Sequence, residues 1–493
     1  MKKNMIYRIK SVIAIIGITL MLNGCDDFLN TEPDNRLQLD DIEQVQALLV
    51  NAYPEGSWLF TEWMTDNVGL TPNDIFLPHM VEIYSFEDVT EKMQDTPTYY
   101  WTSAYRAIAH ANQALDALDQ LASADPDHEK ALRAEALICR SYAHFMLVNL
   151  FAKPYDPQTA SSDLGIPYVK DIERELIVQY TRNSIAEVYE LAEKDLLEGI
   201  ELKQQSSEKY YSAIKYHFNM NAVWGYASRF YLFKKDYQKC IEYSNKLLGA
   251  GYYPSFIKDF SKVNVGHPTR NAQRFTAYDD ASNLMLARIE VFAHPFYQIG
   301  YRLSFDIFNQ IFFQDQSDVR GVQSFIGNQA RTVVYLPKHH WAVKDNAFPY
   351  MIVTQFRGEE VFLNRLEALL LSGKTAEMEQ QLAQFVANRY RATGETLAYE
   401  DFYREYTGTL YPNHTKNETL LKIILDERRR EFVDEGLRWL DIRRHMLIPI
   451  QHEDINGVVH TLTEDKLTMQ IPADAISKGL EPNPSKQPMN NIP

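Results

Sequence analysis

Apolar positions recur with the three-to-four spacing of a helix along most of this chain. From about Tyr99 to Leu121, the residues Trp101, Tyr105, Ile108, Leu115 and Leu118 fall on one broad face. Asp125-Pro126 supplies an N-cap and a first-turn proline. It predicts a second helix over Glu129 to Phe151, stopped by Lys153-Pro154. Amphipathic stretches follow at Ser184 to Ile200, at Asn219 to Phe233 after a tyrosine-rich connector, and at Asp236 to Leu248. The same grammar returns in Glu359 to Ser372, the turn Gly373-Lys374, and Ala376 to Tyr390.

Small residues such as Ala368 and Ala383 let paired helices approach closely. Ala222 to Leu248, with Lys234-Lys235-Asp236 at its turn, resembles half of one tetratricopeptide repeat joined to the next. Roughly four helix pairs are expected, enough to bury a shared core where one pair could not. The expected fold class is all-α. Two stretches break the period: residues 51–98, and a long insertion over residues 250–357 rich in Gly, Pro, Asn, Arg and aromatics. Insertions of that length in a helical array usually carry function, so a binding surface is sought there.

The N-terminus has a different pattern. Lys2, Lys3, Arg8 and Lys10 precede the apolar run Ser11 to Leu22, which is far shorter than the ~20 residues that span a bilayer. That reads as an export signal. Leu22-Asn23-Gly24-Cys25 resembles a bacterial lipobox, with cleavage before Cys25 and lipidation of its thiol. The expected organisation is a signal peptide over residues 1–24 and one helical domain over 25–493. Loss of the leader removes four positive charges and no acid from a chain of net charge −16. Such a polyanion is a poor ligand for nucleic acid, whose binding rests on Lys and Arg. Of the three cysteines, Cys139 and Cys240 sit in apolar helical stretches and are expected as buried free thiols.

Catalytic signals are weak. Ser372-Gly373-Lys374-Thr375 ends like a phosphate loop, but Ala368 stands where its first glycine belongs. His339, His340, His445 and His452 lack metal-ligand spacing, so no metal and no cofactor are expected. No Gly-x-Ser-x-Gly elbow occurs. Glu427-Arg428-Arg429-Arg430-Glu431 is the densest charge cluster. Asp426, Arg430 and Asp434 at four-residue steps favour ion pairing along one helix face. Trp101, Trp224 and Trp439 read as core or structural residues. Trp58, Trp63 and Trp341 lie in the irregular stretches, where an indole face suits the C–H surface of a sugar. With Tyr297 and Tyr301 they form the candidate ligand set, Trp341 foremost. No catalytic residue is assigned. A surface glycoside hydrolase and a protein-binding repeat scaffold are the alternative classes.

Several motifs resemble one family. Cys25-Asp26-Asp27-Phe28-Leu29 looks like the lipidated start of SusD/RagB proteins. The helix from Arg133-Ala134-Glu135-Ala136-Leu137 through Tyr142, Phe145 and Leu150, leading to Gly165-Ile166-Pro167-Tyr168-Val169, fits as well. Most specific is Ile424 to Phe432, followed by Glu435-Gly436-Leu437-Arg438-Trp439-Leu440-Asp441-Ile442-Arg443-Arg444. Asn364-Arg365-Leu366-Glu367-Ala368 departs from the Arg-Ala-Glu-Ala run more usual there. The resemblance implies four tetratricopeptide-like pairs in a non-catalytic, surface-displayed outer-membrane lipoprotein. It also implies capture of oligosaccharide or another nutrient for a SusC-type TonB-dependent transporter. The matched motifs carry no ligand residues across.

Overall fold

The computed structural model describes residues 39–70, 75–121, 124–173, 178–251, 254–263, 266–292, 301–312, 318–321, 325–326, 334–342, 350–392, 395–396 and 398–484. The signal peptide, Cys25 and Tyr297 lie outside them. Residues from Ile42 onward form one unit, separate from Met1–Asp41.

Helices dominate that unit. In chain order they are α1 (Ile42–Leu49), α2 (Pro78–Tyr84), α3 (Pro97–Gln120), α4 (Pro126–Phe151), α5 (Ile185–Gln204), α6 (Met220–Phe233) and α7 (Tyr237–Leu248). Then come α8 (Pro268–Phe275), α9 (Phe305–Ile311), α10 (Gly358–Leu371), α11 (Thr375–Arg389), α12 (Lys416–Phe432) and α13 (Leu437–His445). Their starts are set locally. The side chains of Asp125, Asn219 and Asp236 accept from backbone N–H groups of the first turns of α4, α6 and α7. Ser184 with Glu187, and Thr415 with Glu418, form reciprocal capping boxes for α5 and α12. Helix α4 is buried on nearly every side, as its lack of a polar face requires, and packs between α3 and α5.

Aromatic packing fills the centre. Phe145 of α4 meets Tyr189, Tyr226, Phe230 and Phe233 with ring centroids 5.5–5.9 Å apart. Arg140 crosses from α4 to the others: it donates to both oxygens of Asp195 on α5 at 2.6 and 2.8 Å and to Asn112 of α3 at 2.9 Å. Trp101, Trp224 and Trp439 are core residues, and Cys139 and Cys240 are buried free thiols. Burial pushes both thiols up, away from reactivity.

The expected helical class holds, and the insertion is not merely irregular: it carries a small sheet. Strands β1 (Asn283–Glu290), β2 (His340–Ala342) and β3 (Tyr350–Arg357) form an antiparallel sheet in the order β1-β3-β2. A separate hairpin pairs β4 (Ile450–Glu453) with β5 (Val459–Leu462). The fold is mostly helical with these small sheets attached. Among the described residues no helix is long and apolar enough to cross a membrane.

Candidate functional site: the outer face of the sheet

The charge cluster of α12 is inside the protein, and this corrects the expected pairing along one helix face. Glu431 accepts from Arg389 at 3.0 Å, Arg357 at 3.1 Å and Arg320 at 3.3 Å. Three guanidinium groups hold its carboxyl well below the ordinary range despite burial. Glu427 accepts from Arg320 and Arg430, and Arg428 from α12 donates to Asp441 of α13 and Asn364 of α10. Glu367 binds Arg444 and His445. Asn364 and Glu367, from the segment that departs from the family run, therefore belong to the same buried polar assembly. Asp426 is drawn off to the Tyr411 hydroxyl.

The corner between α12 and α13 explains two of the candidate tryptophans. Glu62 accepts from the backbone N–H groups of Asp434 and Gly436 at 2.9 and 3.0 Å, and burial pushes its carboxyl up. Gly436 has φ +75°, and a Cβ there would lie 2.9 Å from the Trp58 ring. Trp58 is thus wedged against backbone. Trp63 is 1% exposed, beside His79. Tyr301 lies flat on Tyr84, ring centroids 3.5 Å apart, and is 3% exposed. None of these three presents a face on which a sugar could stack. His452 and His339 are held by backbone carbonyls.

Trp341 keeps more open surface. On β2 it sits opposite Met351, in the row with Ile289, and packs on Leu59, Ile289, Val291, Met351 and Val353. That is the inner face of the sheet. Strand alternation puts the neighbouring rows on the outer face. One outer row is Arg288, Ile352 and His340; the next is Glu290, Tyr350 and Ala342.

The outer face gathers tyrosines. Arg288 is exposed, and its guanidinium lies 4.6 Å from the centroid of Tyr350. Tyr216 stacks on Tyr278 at 6.4 Å and 21°, and has Tyr350 as an electrostatic neighbour. Tyr278 is 44% exposed; Tyr216 and Tyr350 are half-buried. Lys215 donates to the Asp280 carbonyl and lies 5.8 Å over the Tyr278 ring, and burial lowers its pKa. From α3, the Tyr99 hydroxyl donates to Glu290; burial and that carboxylate push it up to about 12. At the far strand, Gln273 of α8 meets His340 at 3.5 Å. The chemistry on offer is aromatic faces with amide, carboxylate and guanidinium groups at their edges. That set suits weak, multi-point binding of a polyhydroxylated chain. Among the described residues no group of three or more His, Cys, Asp or Glu is placed to hold a metal ion.

Tyr216, Tyr278 and Tyr350 are not among the residues that tryptophan placement singles out. For Tyr216 the available signal was the tyrosine-rich connector before α6, where aromatic rings sit among Lys, Ser and His rather than on an apolar face.

Two family models match. One described as "Starch-binding associating with outer membrane" covers residues 27–232, and one described as "SusD family" covers residues 314–479. Among solved structures, a SusD superfamily protein from Bacteroides vulgatus is 18% identical, with 91% of this chain and 100% of that one covered at TM-score 0.69. One from Bacteroides thetaiotaomicron is 19% identical, covering 90% and 99% at TM-score 0.67. Surface glycan-binding protein A from Bacteroides uniformis is 18% identical, covering 90% and 99% at TM-score 0.66. At these identities the likeness is one of fold. No curated protein matches the chain in sequence.

Proposed function

Because this chain belongs to the SusD/RagB family of outer-membrane-associated, sugar-binding proteins, we propose that it captures oligosaccharide at the cell surface for a SusC-type TonB-dependent transporter. It binds its cargo and does not cleave it. The observation that carries the reading is the open tyrosine cluster on the outer face of the sheet. Tyr216, Tyr278 and Tyr350 are the proposed contacts; Trp341, on the opposite face of the edge strand β2, is not one of them. A fully desolvated aromatic would be committed to the core; Tyr278 is 44% exposed and Tyr216 and Tyr350 are half-buried, which leaves ring surface for a ligand.

Cys25 is the proposed anchor. Two or more acyl chains on it hold the protein at the membrane, at ~0.8 kcal/mol per buried CH₂. The unit over 25–493 would then act as one capture module. Confinement to the membrane plane raises the effective concentration of capture protein near the transporter, so a tight contact is not required. Affinity electrophoresis in gels containing polysaccharide tests binding. We expect retardation of the parent and release of the Tyr216→Ala/Tyr278→Ala variant. Equal retardation of both would place the ligand elsewhere. Palmitate labelling of the exported chain, lost in Cys25→Ala, tests the anchor.

A further inference from the structure

Most arginines of this protein are spent on carboxylates or carbonyls. Four are not: among the described residues, Arg106, Arg270, Arg274 and Arg288 enter no ion pair and no hydrogen bond, and all four are exposed. They border the same surface. Arg288 stands in the outer row of the sheet over Tyr350. His340, in the same row two strands away, is roughly 10 Å across by strand spacing. Gln273 touches His340, and Arg270, Gln273 and Arg274 stand at i, i+3 and i+4 of α8, hence on one helix face. Arg106 lies two turns beyond Tyr99 on α3, close enough to act electrostatically on that tyrosine, whose hydroxyl reaches Glu290 of β1.

Two like charges at i and i+4 repel, a cost that an acidic ligand between them would turn into a gain. Among the described residues the nearby carboxylates form no ion pair with them. Glu290 is engaged by Tyr99, and Asp280 by Lys258 and Ser282; Asp279 is exposed beside Tyr278. On a chain of net charge −16, a border of bare guanidinium groups around open tyrosines is out of keeping with the rest of the surface. A guanidinium offers planar paired donors that match a carboxylate or sulfate, and a ring beneath it leaves those donors free.

We propose that this face takes acidic glycans, chains bearing uronate carboxylates or sulfate esters, with the tyrosines stacking on sugar rings and Arg270, Arg274 and Arg288 pairing with the anionic groups. The assignment rests on the glycan-capture reading and names its substrate class. It is tested on the full chain by calorimetry and affinity electrophoresis against polygalacturonate, chondroitin sulfate, starch, xylan and, as a sugar-free polyanion, polyglutamate. Binding is expected to polygalacturonate or chondroitin sulfate alone, weakening as salt rises. Arg274→Gln/Arg288→Gln should lower that affinity about tenfold with an unchanged melting temperature, since both side chains are exposed. Tyr278→Ala should lower it as well. Binding to starch or xylan that ignores the arginine variants would overturn the acidic class and leave capture standing. Equal binding to polyglutamate would overturn it too, since charge alone would then suffice. No binding to any of the five would sink both readings.

Discussion

Arginine does opposite work in two regions of this protein. In the corner built by α12 and α13 it is buried and fully committed, Arg320, Arg357 and Arg389 converging on Glu431. Around the outer face of the sheet Arg270, Arg274 and Arg288 are exposed and uncommitted. Tryptophan and tyrosine divide in the same way, with Trp58, Trp63 and Trp439 packed inside while Tyr278 faces water. Conspicuous residues in the sequence thus maintain shape, and less conspicuous ones stay exposed. The comparison predicts that damage to the first region unfolds the protein, whereas damage to the second leaves a folded protein that has lost its cargo.

The largest effect belongs to the buried network. Removing one partner of a buried ion cluster strands the others, so Glu431→Gln should cost about 3–5 kcal/mol and appear as a large fall in denaturation midpoint. A variant of parental stability would show that the cluster is replaceable. Next is Gly436→Ala, whose added Cβ meets the Trp58 ring from a left-handed backbone. It should cost about 1–3 kcal/mol in the same measurement, and Trp58→Ala in the same chain should relieve the clash but not the backbone strain.

Acidity separates the regions further. Glu431 and Glu367 have depressed pKa values, so their stabilisation is full above the ordinary carboxylate range and is lost as pH falls through and below it. Asp434 works the other way: burial, the leading cause, raises it to about 7. Its contribution is greatest at low pH and fades as pH rises toward 7. Asp434→Asn should therefore gain on the parent between pH 4 and pH 8, the more so because asparagine tolerates the +67° φ found there. Thermal melts across that range check the sign; a variant that loses ground as pH rises would refute it. The smallest stability effect should come from the outer face of the sheet, where Tyr278→Ala leaves the melting temperature within about 1 °C of the parent, a surface change being worth under ~0.5 kcal/mol.

Helices were legible in the sequence because their signals are local. Asp125-Pro126, Ser184, Asn219 and Asp236 each start the helix they were expected to start. The sheet was not, because β1 and β3 are separated by residues 291–349 and β1 shows no clean alternation: Asn283 to Leu286 are buried one after another. The charge run of α12 was visible, but its partners Arg320, Arg357 and Arg389 lie on segments that only the fold brings together. Indoles in irregular stretches were legible as candidates, but their burial was not. Trp58 and Trp63 stand in an irregular stretch, yet irregular backbone here wraps the core rather than facing water. Tyr278, on a polar connector, is by contrast 44% exposed.

The central claim is that glycan is held on the outer face of the sheet. Calorimetric titration of polysaccharide fragments into the parent and into Tyr216→Ala/Tyr278→Ala, both shown to melt alike, tests it most directly. The account predicts measurable binding by the parent and at least about a tenfold loss in the variant. Undiminished binding by the variant would contradict it.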